Sequence, residues 1–266
     1  MTDEIDQGAA VEAAVQAVAD RLADEKRYLT DLDSAIGDAD HGANMNRGMQ
    51  AAVEAVADAD EDDPATLVQL VGRTIVSEVG GAAGPLYGGS AMIASKELAD
   101  GITAESTVAF GEAFLEKVQD RGGANVGDKT MVDALTPAVH TYKKSIEQDD
   151  LPPLAALAKA VDAAHRGVDY TVPIRASKGR ASYLGWRSVG HQDPGATSTL
   201  YILEALLGVA EEHLEGPVEE DATSPRVPDE EPAGDGPAAG GENGPPEGGE
   251  NGGPSSEADD SEADEG

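Results

Sequence analysis

The chain has 266 residues, 52 acids against 18 lysines and arginines, and a formal net charge of −34. That balance argues against nucleic-acid binding, because each phosphate contact would need a lysine or arginine and the 18 present are outnumbered by acids. The absence of cysteine excludes disulfides, thiolate metal sites and thiol catalysis. With 39% hydrophobic and only 3% aromatic residues, the core must be built from Ala, Val and Leu. The Lys-poor acidity fits a halophilic protein, kept soluble by carboxylates in a salt-rich cytoplasm that screens their repulsion.

The N-terminal stretch MTDEIDQGAAVEAAVQAVADRLADEKRYL opens with acids and has no basic leader. Nowhere does an uncharged apolar run approach the roughly 18 residues that span a bilayer. A cytoplasmic protein with no membrane association is expected. Val11, Val15, Val18 and Leu22 recur at helical spacing, as do Met49, Val53 and Val56. Similar stripes follow at about 64–79, 84–99, 105–119, 130–147, 152–167 and 196–213. Asp63-Pro64 and Asp193-Pro194 each supply an N-cap followed by proline at the first helical position. YTVPIRA at 170–176 is the one β-branched strand candidate, and Pro173 demotes it to a connector.

The expected fold is therefore all-α, a closed barrel or bundle of about eight antiparallel amphipathic helices in one domain, residues 1–215. From Gly216 the chain has no aromatic, Leu or Ile, and 16 acids face the single Arg226. Residues 216–266 are expected to be a disordered acidic tail. The folded part still holds 36 acids against 17 basic residues, so its acidity is its own.

The three longest connections, near 30–42, 120–130 and 176–195, hold the unusual residues. In LDSAIGDADHGANM, Asp33, Asp38 and Asp40 stand at i, i+5 and i+7, with Gly37 and Gly42 permitting a tight path. Three hard oxygen donors suit Mg²⁺ or Mn²⁺, which would keep open positions for phosphate and water. A solvated loop of capping aspartates is the competing reading, and spacing alone leaves both open. An EF-hand is excluded, since from Asp33 the third, fifth and twelfth positions are Ala35, Gly37 and Asn44.

VGGAAGPLYGGS at 79–90 offers bare backbone N–H groups at a helix start, suited to an anion. It lacks the Gly-Lys-Ser/Thr of a P-loop, and Gly80, Gly84 and Gly88 equally suit close packing between helices. RGGANVGDKTMVDAL and KGRASYLGWRSVGHQDPGATS join glycines to basic groups at helix starts. Lys178, Arg180 and Arg187 gather positive charge near a helix N-terminus, where a polyphosphate would bind and where pairing with the acidic surface is the alternative. His41, His191 and His140 taken singly read as structural. An up-and-down bundle places alternate connections at one end, which would bring these loops together as a Mg-nucleotide site.

LDSAIGDADHGANM, GGAAGPLYGG, GDKTMVDAL and KGRASYLGWRSVGHQDPGATS resemble, in order and spacing, the nucleotide-binding L subunit of dihydroxyacetone kinase. The resemblance runs over about residues 5–213. It implies an eight-helix barrel whose three aspartates, here Asp33, Asp38 and Asp40, hold Mg²⁺ on ADP or ATP, with Arg180 meeting phosphate charge during transfer. It implies nucleotide contacts from His41, Gly42, Asn44, Ala82, Ala83, Gly122, Met131, Arg180, Asp193, Pro194 and Gly195, with Met131 against adenine. It further implies a separate dihydroxyacetone-binding K subunit, a phosphohistidine carrier (the M subunit) that recharges ADP held as a coenzyme, and a homodimer or hetero-oligomer. An ATP-fed kinase subunit with exchanging nucleotide and a non-catalytic nucleotide-dependent regulator stay open. The chain departs from the family at Ala83, where Ser is usual, and at Trp186, where a charged residue is expected.

Overall fold

In the computed structural model, residues 6–214 are described and belong to one compact unit. The expected acidic tail lies outside them. Nine α-helices occur among the described residues, and no strand does. They are α1 (Gln7–Asp24), α2 (Lys26–Ile36), α3 (His41–Ala57), α4 (Pro64–Glu78), α5 (Gly89–Ala94), α6 (Ala104–Gly122), α7 (Val132–Glu147), α8 (Pro153–Thr171) and α9 (Pro194–His213).

Several starts are chemically marked. The carboxylates of Asp6, Asp63 and Asp193 accept from Ala9, Thr66 and Ala196 N–H respectively, and Thr103 and Ser106 form a reciprocal box at α6. Pro64 and Pro194 open α4 and α9 as expected, because proline's missing N–H is not needed in the first turn.

The helices pack as a succession of neighbours. α1 packs on α3, α3 on α4, α4 on α5, α5 on α6, α6 on α7, α7 on α8 and α8 on α9, which returns to α1. Val11, Val15, Val18 and Leu22 of α1 and Met45, Met49, Ala52 and Val56 of α3 bury one continuous core with Leu67, Leu115, Val118 and Leu135. A second core of Ala134, Ala138, Ala160, Ala164 and Ala196 lets α7, α8 and α9 approach closely. Among the described residues no helix is long and apolar enough to cross a membrane.

Three expectations need correction. The stretch 30–42 is not a long open connection, because α2 runs through Asp33 to Ile36 and Gly42 lies inside α3. Leu29, Asp33 and Ile36 share the buried face of α2, and the aspartate at a position where an apolar residue belongs disguised the helix. The expected helix at 84–99 changes winding twice, from a π-helical turn at Gly84–Gly88 through α5 to a 3₁₀ turn at Ser95–Leu98. The connection 176–195 is partly ordered as a 3₁₀ segment, Arg180–Ser188, bent at Gly185 where φ is +56°. YTVPIRA, by contrast, is the connector that Pro173 indicates: α8 continues to Thr171 and irregular chain follows.

Candidate functional site

The α2–α3, α4–α5, α6–α7 and α8–α9 connections carry the residues singled out above. Only Gly37–Asp40 separates α2 from α3. Asp33 is buried at the end of α2, and its Oδ2 accepts from the N–H of Asp40 at 2.9 Å and of His41 at 3.1 Å. Asp33 thereby takes over the capping of α3. Asp40 stands at the N-cap, yet its carboxylate makes no capping bond.

One carboxylate oxygen from each of Asp33, Asp38 and Asp40 lies within 4.8 Å of the others. Three anions so close repel one another, and the loop reaches this arrangement with Ala39 at φ +61°, a left-handed conformation costly for alanine. The donors fit a hard divalent cation. Asp33 keeps Oδ1 unspent on the cap, Asp40 is not consumed by capping, and Asp38 meets the guanidinium of Arg180 at 2.9 Å. Gly37 is required beside them, because a Cβ there would come within 2.0 Å of Asp33 Oδ1.

Hydrogen bonds extend from this loop to the start of α9. His41 Nε2 lies 2.8 Å from Ser198 Oγ, and Ser198 Oγ lies 2.9 Å from the hydroxyl of Tyr87. That hydroxyl also reaches the carbonyl of Gly195 at 2.9 Å and Thr199 Oγ1 at 2.8 Å. Burial lowers the pKa of His41, against the opposing pull of Asp33 and Asp40. Burial likewise pushes the Tyr87 phenol up to about 12, so it is a neutral donor throughout the working range.

Gly195 lies beside Met131, since a Cβ on it would be 3.5 Å from the Met131 nitrogen. Met131 itself is only 4% exposed and packs into the main core. Asp193 is buried at the N-cap of α9, and Pro194 is buried next to it. Burial raises the Asp193 carboxyl to about 7, assisted by Asp133 and opposed by the Ala196 and Gly195 N–H groups and by Lys129.

The glycine stretch divides between the two readings. Gly84 and Gly88 are close-packing positions: a Cβ on either would come within 2.4 Å of the carbonyl of Val79 or of Gly72. Gly80 is open enough to accept a Cβ near Asn44, whose Oδ1 accepts from Arg47. Ala82 is exposed and Ala83 half-buried against the core. Gly122 lies against Leu86 of the π turn, and Gly42 fits under the carbonyl of Lys26, where a Cβ would come within 2.2 Å. Trp186 is 77% exposed beneath the guanidinium of Arg175.

Sequence reasoning missed Tyr87, Ser198, Thr199, Lys129 and Asp133. Tyr87 had one usable signal, being one of few aromatics and placed inside a glycine-rich stretch. Lys129 lies in RGGANVGDKTMVDAL, which the sequence shows only as glycines joined to basic groups at a helix start. It is instead fully buried, and its ammonium donates to main-chain carbonyls.

Residues 35–208 match the DAK2 domain family. The chain is 41% identical over 195 residues to the ADP-binding subunit of the PEP-dependent dihydroxyacetone kinase of Escherichia coli, spanning 73% of this chain and 92% of that protein. It is 38% identical over 190 residues to the ADP-binding subunit of the PTS-dependent dihydroxyacetone kinase of Lactococcus lactis, spanning 71% and 91%. Similarity extends to the L-erythrulose 1-kinase of Mycolicibacterium smegmatis at 34% identity, where it covers 69% of this chain but 32% of that enzyme. The crystal structure of the dihydroxyacetone kinase of C. freundii in complex with AMP-PNP and Mg²⁺ superposes with a TM-score of 0.59 at 27% identity, over 75% of this chain and 34% of that one.

Proposed function

The chain belongs to the DAK2 domain family, and from that membership we propose that it is the Mg-ADP-binding subunit of a dihydroxyacetone kinase. The observation that carries the proposal is the cluster of Asp33, Asp38 and Asp40, joined by Arg180 at one side and by hydrogen bonds to the α9 N-terminus at the other. We read the succession of helices returning from α9 to α1 as a closed barrel with the nucleotide at this end.

Asp33, Asp38 and Asp40 would hold Mg²⁺, which supplies charge neutralisation to the phosphate oxygens when bound. The chain's own groups do the rest. Arg180 would pass from Asp38 to phosphate charge, the N–H groups of the 80–83 stretch would face the anion, and Gly42, Asn44, Ala82, Ala83 and Gly122 would line its path, while the α9 start keeps its own N–H groups on Asp193. His41, held by Ser198 and kept neutral by burial, positions rather than carries charge. Phosphoryl transfer asks chiefly for such positioning.

In this reading ADP stays bound as a coenzyme, is rephosphorylated by the phosphohistidine carrier M subunit, and passes its phosphoryl group to dihydroxyacetone on a separate K subunit. The product is dihydroxyacetone phosphate, and the working unit is hetero-oligomeric in the cytoplasm. The similarity to subunits named PEP- and PTS-dependent supports this donor. A second reading draws on the erythrulose kinases, of which this chain matches about a third: an ATP-fed subunit acting on another small ketose.

Mass analysis of the nucleotide retained after native purification separates the two. Tightly held ADP supports the coenzyme role; an empty site that turns over free ATP supports the exchanging kinase. Binding without transfer in the presence of K and a phosphodonor leaves a regulator and overturns both. The acidic composition supports a salt-adapted protein, and a folding titration showing no gain in stability with KCl would remove that reading.

A further inference from the structure

The segment Thr171–His191 carries Arg180, and its attachment to the rest of the protein is concentrated on two consecutive residues. Between positions 170 and 192 there is no acid, while Arg175, Lys178, Arg180 and Arg187 are all basic. The segment can therefore form no ion pair within itself and must be pinned from outside.

Lys129 supplies the pin. It is 1% exposed, and its ammonium donates to the carbonyls of Thr171, Ile174 and His191, three acceptors for its three N–H groups. Thr171 and His191 are the two ends of the segment, so one ammonium joins them. The neighbouring Asp128 holds Ser177 through both main chain and side chain. Two further bonds cross the neck, from Gly190 N–H to the Val172 carbonyl at 2.8 Å and from Asp193 N–H to Thr171 Oγ1 at 3.0 Å.

Lys129 is itself held in an unfavourable backbone conformation, with φ at +62°. Asp133 maintains it by accepting from Gly127 N–H at 2.6 Å and Thr130 N–H at 2.8 Å, on either side of the strained turn. At the far side of the segment, Ala176, Ala181 and Leu184 rest on Ile36, next to the aspartate loop. Arg180 immediately precedes Ala181 of this second attachment.

We propose that Lys129 is a positioning residue, whose caged ammonium fixes both ends of the Thr171–His191 segment and thereby sets where Arg180 stands beside Asp38. The consequence for phosphoryl transfer rests on the function proposed above; the anchoring of the segment does not. A displacement of Arg180 by about 1 Å is enough to cost on the order of 100-fold in rate.

The test uses the full chain with Lys129→Met, Arg180→Ala and the double variant, assayed for transfer with K and a phosphodonor and for tryptic cleavage at Arg175, Lys178, Arg180 and Arg187. Cleavage within the segment is expected to accelerate roughly tenfold or more in Lys129→Met. Its kcat is expected to fall toward that of Arg180→Ala, with the double variant no slower than Arg180→Ala alone. Unchanged cleavage, or losses in kcat that multiply, overturns the proposal. If no variant and not even the native chain transfers phosphate, the functional reading fails while cleavage still decides the anchoring. Should Lys129→Met not fold, amide exchange of the native protein decides. Gly190 and Asp193 N–H are expected to be as protected as the interior of α8, and exchange at the rate of exposed loop amides overturns the proposal.

Discussion

Arg180 and Asp38 meet at 2.9 Å although one lies on the 3₁₀ segment before α9 and the other in the turn after α2. The pair is partly exposed, so it is worth only about 0–1 kcal/mol to the fold. Its placement beside Asp33 and Asp40 matters more, because a cation and a phosphate together would replace each partner's present contact. Asp38→Asn with Asp40→Asn is expected to leave the thermal midpoint of the ligand-free protein within a few degrees, repulsion relieved offsetting the lost pair. At 100 times its Kd, Mg-ADP should stabilise the native chain by about 2.7 kcal/mol and the variant scarcely at all. Calorimetric scans with and without Mg-ADP measure this, and an undiminished shift in the variant would remove the metal assignment.

Gly37 gives a steric test of the same cluster. Its φ of −137° lies outside the left-handed region, so glycine is not called for here by a positive φ. A methyl group at this position would instead collide with Asp33 Oδ1, at 2.0 Å. Gly37→Ala should cost about 1–3 kcal/mol by chemical denaturation and weaken Mg-ADP binding at least tenfold by titration calorimetry. Ala35→Ser, on the exposed face of the same helix, should do neither.

How much of this was legible beforehand varies with the kind of force involved. Helical spacing located α1, α4, α6 and α9 because their apolar stripes are uninterrupted, and Asp-Pro pairs fixed two of the starts. It failed at α2, where Asp33 interrupts the stripe in order to cap the next helix. The aspartate triad was visible as a motif, but the choice between capping and metal holding required seeing that Asp33 caps α3 and Asp40 does not. Lys129 was not singled out, because sequence cannot distinguish a lysine offered to a ligand from one enclosed by carbonyls distant in the chain. The same holds for Tyr87, whose partners lie more than a hundred residues away.

Tyr87→Phe probes the link between the glycine stretch and α9. The lost hydroxyl leaves the Gly195 carbonyl still bonded by Ser198 Oγ at 3.1 Å and Thr199 Oγ1 at 2.9 Å, and the His41–Ser198 contact remains. The cost should therefore be no more than about 1 kcal/mol in urea denaturation, with ADP affinity within tenfold of native. Tyr87→Ala also removes a buried ring, and should cost about 3–5 kcal/mol. A Phe variant as unstable as the Ala variant would mean that the hydroxyl, not the ring, organises this end.

Asp193 makes the fold pH-dependent in an unusual direction. Burial raises its pKa from 3.8 to about 7, so between those values the folded state holds a proton that the unfolded state has released. Stability contributed by this group is fully present below about pH 4 and is lost as pH rises toward 7, at up to about 1.4 kcal/mol per pH unit. The groups facing it are Asp133, which raises its pKa, and Lys129, whose own pKa is lowered by burial and whose effect falls at more alkaline pH. Other carboxylates titrate over the acid part of the range, so the informative quantity is the difference between the native chain and Asp193→Asn. Asparagine keeps the cap on Ala196 without the ionisation. Urea denaturation at successive pH values should show native stability falling relative to Asp193→Asn from pH 4 to pH 7, then running parallel to it until the lysine titrates. A constant difference across that interval would mean that Asp193 is ionised in the folded protein, its charge carried by Lys129 and the α9 N-terminus.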